Sequence, residues 1–270
     1  MNKKKEQKVV VFTTLSETDK NLILNGVKLA VTFKKELCLF YRITRKDKKR
    51  KSLIKQILVE YTLPLSDEIP GLKTSVLLMS EHIRDIPAIL ADEYEAVLFV
   101  ADAAQYKKFS TAVTQSPSPF LFVNNEAPLS SFKKIVLPLD ARRENKDIAL
   151  WSSWFGRFNQ SEIIVIAAND NNRERQIQVG KNVLLTKNLL EKFNISLKIY
   201  KGQKSSFYNS AEAAEFAHND AADLLILLGS SVITPIDRLL GLPERKIISF
   251  PGSFPVLLIN PRRENYILCD

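Results

Sequence analysis

The residues able to do chemistry are few and scattered. The two histidines, His82 and His218, fall in different halves of the chain. Neither has a second His or a Cys at ligand spacing, so no metal site is expected. The cysteines, Cys38 and Cys269, show no repeated spacing, which fits reduced thiols and not a disulfide framework. Cys38 lies in the apolar run Leu37-Cys38-Leu39-Phe40 and reads as a buried core thiol. No Gly-x-Ser-x-Gly elbow, phosphate-loop lysine motif or paired catalytic constellation occurs. No catalytic residue is therefore assigned and no enzymatic activity is expected, nucleotide hydrolysis being the residual alternative. The densest charge is Arg45, Lys46, Lys48, Lys49, Arg50 and Lys51, broken only by Asp47. Such a run can contact phosphates. No Tyr or Phe interleaves with it, so it reads as a solvated loop opening a helix, and nucleic acid is not an expected partner.

Length and composition bound the scaffold that must position these groups. At roughly 100–200 residues per domain, 270 residues make one large domain or two small ones. A hydrophobic fraction of 45% with 26% charged residues excludes collagen-like and wholly disordered chains. The net charge of +9 divides as +5 over residues 1–131 and +4 over 132–270, so no separate basic domain stands out. No apolar run reaches the roughly 18 residues of a membrane span. The basic lead Met1-Asn2-Lys3-Lys4-Lys5 is followed only by Val9 to Phe12, too short for the roughly 7–15 residue core of a signal peptide. A cytoplasmic location without membrane association is the expectation.

Apolar runs at strand length recur along the chain. In the first half they are Val9–Thr13, Leu37–Ile43, Thr74–Met79, Ala96–Ala101 and Phe120–Val123. In the second they are Lys134–Leu139, Ile163–Ala167, Leu197–Tyr200, Leu224–Leu228 and Val256–Ile259. Several are near-continuous in Val, Ile, Leu and Phe, as in strands buried on both faces of a parallel sheet. Segments of helical period lie between them. In the second half these are Lys146–Arg157, Gln176–Phe193, Ala211–Asn219 and roughly Ile236–Ile248. Alternation of this kind predicts an α/β fold with right-handed crossovers and helices on both faces.

The two halves match each other. Lys8-Val9-Val10-Val11 corresponds to Lys134-Ile135-Val136-Leu137 at an offset of 126. Ala96 to Ala101 corresponds to Leu224 to Gly229 at 128, and Pro119 to Asn124 corresponds to Pro255 to Asn260 at 136. So long a period means two domain-sized copies. They are read as residues 1–125 and 132–270, joined by a polar segment containing Pro128. The offset grows by eight after Leu228, so the second copy has extra chain beginning at Gly229. In open α/β sheets, ligands bind beyond the carboxyl ends of strands near the switch point. The added loop is the place to look for a site.

The residues Lys134 to Asp140, Ala222 to Gly229, Gly241-Leu242-Pro243-Glu244-Arg245-Lys246-Ile247-Ile248 and Pro255 to Ile259 resemble the universal stress protein family in a tandem arrangement. The resemblance covers nearly all of residues 132–262 and reaches residues 7–125 through the internal repeat. It implies two Rossmann-like five-stranded parallel sheets flanked by helices. It also implies dimers or tandem pseudo-dimers paired through their fifth strands, and ATP or AMP binding in one subgroup.

Nucleotide-binding members carry Gly, two residues, Gly, nine residues, then Gly-Ser or Gly-Thr. Glycines let the backbone approach phosphate, whose charge is met by successive N–H groups. Here Gly229 matches the first glycine, but Val232 fills the second position. Gly241 matches the third with the loop one residue short, and Leu242 replaces the hydroxyl residue. Pro235 and Pro243 remove two N–H donors. Ser230, Ser231 and Thr234 remain as donors, and Asp140 matches the acidic residue near adenine and ribose. The resemblance thus implies a degenerate nucleotide site at Asp140, Gly229, Ser230, Ser231 and Gly241. In the first copy Thr14 stands in the place of Asp140, and no glycine follows the fourth strand, so no nucleotide is expected there.

Trp151 and Trp154 lie three apart on one helix face and read as core residues or as anchors between the copies or between chains. The resulting expectation is a non-catalytic tandem protein of stress response or regulation. It would act through association, as an internal pseudo-dimer, as a homodimer and with other protein partners. No cofactor is expected to be held, with ATP or AMP in the second copy alone as the alternative.

Overall fold

The run Lys8–Phe12 is β-branched and aromatic after its lysine, and it folds as β1, the central strand of a parallel sheet. The computed structural model describes residues 6–124, 127–230, 243–249 and 254–260. The chain divides into two compact units between Leu129 and Ser130. The first unit continues with α1 (Asp19–Phe33), β2 (Glu36–Arg42), α2 (Lys51–Glu68), β3 (Thr74–Met79), α3 (Ile86–Tyr94), β4 (Ala96–Asp102), α4 (Tyr106–Val113) and β5 (Phe120–Val123). The second holds β6 (Lys134–Leu139), α5 (Asn145–Asn159), β7 (Glu162–Ala167), α6 (Arg173–Lys192), β8 (Leu197–Lys201), α7 (Asn209–Asn219), β9 (Leu224–Leu228), α8 (Pro243–Ile248) and β10 (Val256–Ile259).

Both units have the same topology. The strand order is β3-β2-β1-β4-β5 in the first and β8-β7-β6-β9-β10 in the second, with parallel neighbours throughout. The register repeats as well, since Lys8 stands opposite Glu36 and Lys134 opposite Glu162. The three central strands of each unit are buried on both faces, as their unbroken apolar runs require. Two of the outer strands differ from expectation: β3 is half-buried along its length and β8 is mostly exposed, while β5 and β10 are buried. In β8 the exposed positions include Lys198 and Lys201, charges that discourage pairing with another chain.

Small residues let the helices sit close on the sheets. A Cβ on Gly26 would stand 2.3 Å from Cγ2 of Val11, so α1 can lie against β1 only because that residue is glycine. Ser152 occupies the matching position of α5 and is fully buried. The basic run Arg45–Arg50 forms a 3-10 turn that leads into α2. It is fixed by Asp47, whose Oδ2 accepts the Thr44 N–H at 2.9 Å and the Thr44 hydroxyl at 2.5 Å. Of the helix expected over Ile236–Ile248, the described part is α8. Trp151 and Trp154 are buried, with rings edge to face at 4.6 Å. Buried rings are not exposed anchors for a second chain, and that part of the expectation fails.

Candidate functional site

β6 leads directly into Asp140, and the chain turns through Ala141-Arg142-Arg143-Glu144 into α5. The turn is built around the Asp140 carboxylate, which is buried. Its Oδ1 accepts the Arg142 N–H and Asn145 Nδ2, both at 2.8 Å. Its Oδ2 accepts Arg142 Nε at 2.7 Å and lies 2.6 Å from Nη2. Both guanidinium nitrogens converge on this one oxygen in a charge-assisted contact, while Oδ1 is taken by the turn's own donors. Asn182 of α6 locks the turn from the other side, donating to the carbonyls of Asp140 and Arg142 at 2.8 Å each. The side chain expected to meet a nucleotide is thus engaged by its own turn.

The second wall follows β9. The Gly229 N–H donates to the Ile259 carbonyl at 2.8 Å, and the Gly229 carbonyl accepts Arg142 Nη1 at 3.2 Å. Ser230 comes next. Its backbone N–H donates to Glu244 Oε1 and its hydroxyl to Oε2, the latter at 2.9 Å. Glu244 lies in the first turn of α8 and is only 6% exposed. A backbone N–H and a hydroxyl converging at a strand end are the donors that would receive a phosphate oxygen. Here a carboxylate of the same chain receives them.

A similar pair closes the third side. Asp170 is buried and accepts the Ser206 N–H at 3.2 Å and the Ser206 hydroxyl, while Ser206 Oγ accepts the Ala141 N–H at 3.0 Å. Between these walls lies a cleft of about 410 Å³, lined by Asp140, Arg142, Ser206, Phe207, Ser230 and Glu244 among others. Two carboxylates, Asp140 and Glu244, and two arginines, Arg142 and Arg175, line it, and a third carboxylate, Asp170, stands behind Ser206 and Arg175. Among the described residues no group of three or more His, Cys, Asp or Glu is placed to hold a metal ion.

The structure brings Asp140, Gly229 and Ser230 together around this cleft. Ser231 and Gly241, together with Val232, Thr234, Pro235 and Leu242, lie outside the described residues. Sequence reasoning missed Arg142, Asn145, Ser206 and Asp170, and quoted Glu244 without a role. Only Arg142 left a readable signal, a cation two residues after the acid at a strand end.

The first unit rearranges the same corner. Thr14 replaces Asp140, and the carboxylate moves to Asp19, at the position of Asn145. Asp19 accepts the N–H groups of Thr14 and Leu15 at 2.8 and 2.7 Å and the Thr14 hydroxyl at 2.8 Å. These bonds hold Leu15 at φ 63°, a left-handed conformation costly for a branched residue. At the end of β4, Asp102 accepts the Ala104 N–H at 2.8 Å and caps a 3-10 turn. Burial holds the Asp102 carboxyl above the usual carboxylate value, and the charge of Asp19 adds to the shift.

No protein-family model matches the sequence. No curated protein matches it. Solved structures do match. A universal stress protein from Archaeoglobus fulgidus superposes with a TM-score of 0.67 at 13% identity, covering 93% of this chain and 95% of its own. A putative universal stress protein from Pseudomonas aeruginosa gives 0.57 at 14% identity, covering 94% and 93%. The cytoplasmic domain of a prokaryotic cation chloride cotransporter gives 0.53 at 11% identity, covering 96% and 98%. No described helix is long and apolar enough to cross a membrane. At these identities the likeness is one of architecture, and by that measure the chain has the α/β fold of the universal stress proteins.

Proposed function

We propose that this chain is a non-catalytic stress-response protein of the universal stress protein kind, working through association with itself and with protein partners. One observation carries the reading: the N–H and hydroxyl of Ser230 are already bound to the Glu244 carboxylate. An incoming phosphate would have to displace two hydrogen bonds to an ionised group, each roughly twice as strong as a neutral one. It would also bring negative charge toward Asp140 and Asp170, both buried beside the cleft. The Arg142 guanidinium, which would otherwise attract that phosphate, is spent on Asp140.

Calorimetric titration with ATP, ADP and AMP tests this. No heat and no thermal stabilisation at millimolar nucleotide is the expected result. Stabilisation by ATP or AMP that Asp140→Ala abolishes overturns it and establishes the second reading, a nucleotide site in the second unit. That reading is favoured by the convergence of Asp140, Gly229 and Ser230 on one cleft. Sedimentation analysis tests association, with a dimer as the expected species.

A further inference from the structure

A cleft of the first unit lies away from the nucleotide corner, at the carboxyl ends of β2 and β3. It measures about 620 Å³, within the range of small-molecule sites. Ile43, Leu78, Met79 and Ile89 line it with apolar surface, and Lys48 and Lys51 stand at its edge. Both lysines belong to the basic run Arg45–Lys51, whose six cations are all exposed. Asp47, the one acid in that run, has its carboxylate turned onto the N–H and hydroxyl of Thr44. This hydrogen bonding lowers its pKa, so it stays ionised and bound to the turn.

The second unit shows what this corner looks like when it is closed. By register, Ile43 corresponds to Asn169 and Met79 to Gly202. The backbone bonds differ in partner: in the first unit the Ile43 N–H donates to the Met79 carbonyl at 2.7 Å, whereas the Asn169 N–H donates to the Lys204 carbonyl at 2.8 Å, two residues beyond Gly202. Glu212 accepts the N–H groups of Gln203 and Lys204 at 2.7 and 3.0 Å. A Cβ on Gly202 would stand 2.7 Å from Glu212 Oε2, so no larger side chain fits there without displacing it. The first unit has put apolar side chains at both of these positions and lysines at the rim.

We infer that this cleft binds an amphiphilic anion, a single apolar chain carrying a carboxylate or phosphate head. The chain lies on Ile43, Leu78, Met79 and Ile89, where covering apolar surface is favourable. The head meets Lys48 and Lys51, and the field of the neighbouring cations concentrates anions at the mouth. Glu81 and Glu93 also line the cleft. The Glu81 carboxylate folds back to accept the Ser80 N–H at 2.8 Å. The two acids balance only the two rim lysines, and the rest of the basic run leaves the entrance positive. Nucleic acid fits less well, because Tyr94 is the one aromatic residue in the lining and none lies within the basic run, so no row of rings is there to stack bases.

The test is calorimetry of the full chain with sodium laurate below its micelle concentration. Dodecanol serves as the uncharged control and acetate as the chainless one. Laurate is expected to bind one per chain, and both controls to bind at least about tenfold more weakly. Lys48→Glu/Lys51→Glu changes only exposed side chains and is expected to lower laurate affinity about tenfold or more. Ile89→Gln, on a half-exposed position of α3, is expected to weaken laurate without restoring acetate. Vesicles of phosphatidylglycerol, against phosphatidylcholine, separate the sources of the head group. Sedimentation with the anionic vesicles that the double variant loses assigns the bilayer as source, and laurate binding without it assigns a free amphiphile. Laurate affinity untouched by the double variant overturns the inference. So does binding of an RNA oligonucleotide with no response to laurate or vesicles.

Discussion

Glu244 takes both the backbone N–H and the hydroxyl of Ser230, two donors at the carboxyl end of β9 that a phosphate oxygen would otherwise use. The acid lies 14 residues along the chain from its partner. With Arg142 bound to Asp140 on the facing wall, the second unit satisfies its own strand-end groups with its own charges.

Removing that acid should open the site. Glu244→Ala is expected to cost about 1–3 kcal/mol, the usual cost of stranding buried donors. It is also expected to gain thermal stabilisation from inorganic phosphate that the parent lacks. Melting curves in phosphate and chloride buffers at equal ionic strength check this. Equal melting temperatures of the variant in both buffers would mean that Glu244 is not holding an anion position.

Asp140 and Asn145 should behave as one unit. Asn145→Ala removes a donor shared among the Asp140 carboxylate and the carbonyls of Asp140 and Arg142, with an expected loss of about 1–3 kcal/mol. Asn145→Asp should be worse, since it sets a second buried carboxylate against the first. Adding Asp140→Thr to Asn145→Asp rebuilds the Thr14 and Asp19 pair of the first unit. Denaturant unfolding of the two singles and the double should show recovery by the double. Simple additivity of the losses would refute the coupling.

Asp102 carries a charge that its surroundings resist. Its pKa is raised, so with rising pH the unfolded chain loses this proton before the folded one does. Stability from this group is therefore present below the unfolded value of 3.8, falls as pH rises through the raised folded value, and stays lost above it. Asp102→Asn keeps an oxygen for the Ala104 N–H and removes the charge that faces Asp19. A higher melting temperature at pH 7 and little difference at pH 3 are expected from scanning calorimetry. A lower melting temperature at pH 7 would show that the carboxylate helps the turn more than its burial costs.

Cys38 should be inert in the folded protein. It is completely buried, and burial pushes its thiol up to about 12 from 9.0, so almost no thiolate exists at pH 8. A thiol-disulfide reagent should leave this cysteine unlabelled, as read by peptide mass mapping, until denaturant is added. Labelling at native rates typical of a free thiol would contradict its burial.

Local pattern made most of the scaffold legible. Ten apolar runs at strand length and the offset of 126 between Lys8 and Lys134 specify two copies of one α/β unit, because strand period and burial are written into neighbouring residues. The exposure of β8 was legible only in part: Lys198 and Lys201 signal a solvent-facing strand, but that Ile199 and Tyr200 are exposed as well follows only from the place of β8 at the sheet edge. The same division runs through the site. Asp140 and Ser230 could be picked out by their positions after strands. Their partners could not, because a carboxylate chooses its donors by where the fold delivers them. Asn182 reaches Asp140 from 42 residues away. Composition and spacing by themselves determined the elements and the strand ends where polar groups gather. Only the tertiary structure decided that in the second unit those groups close on one another, while in the first unit Ile43 and Met79 leave a cleft rimmed by lysines.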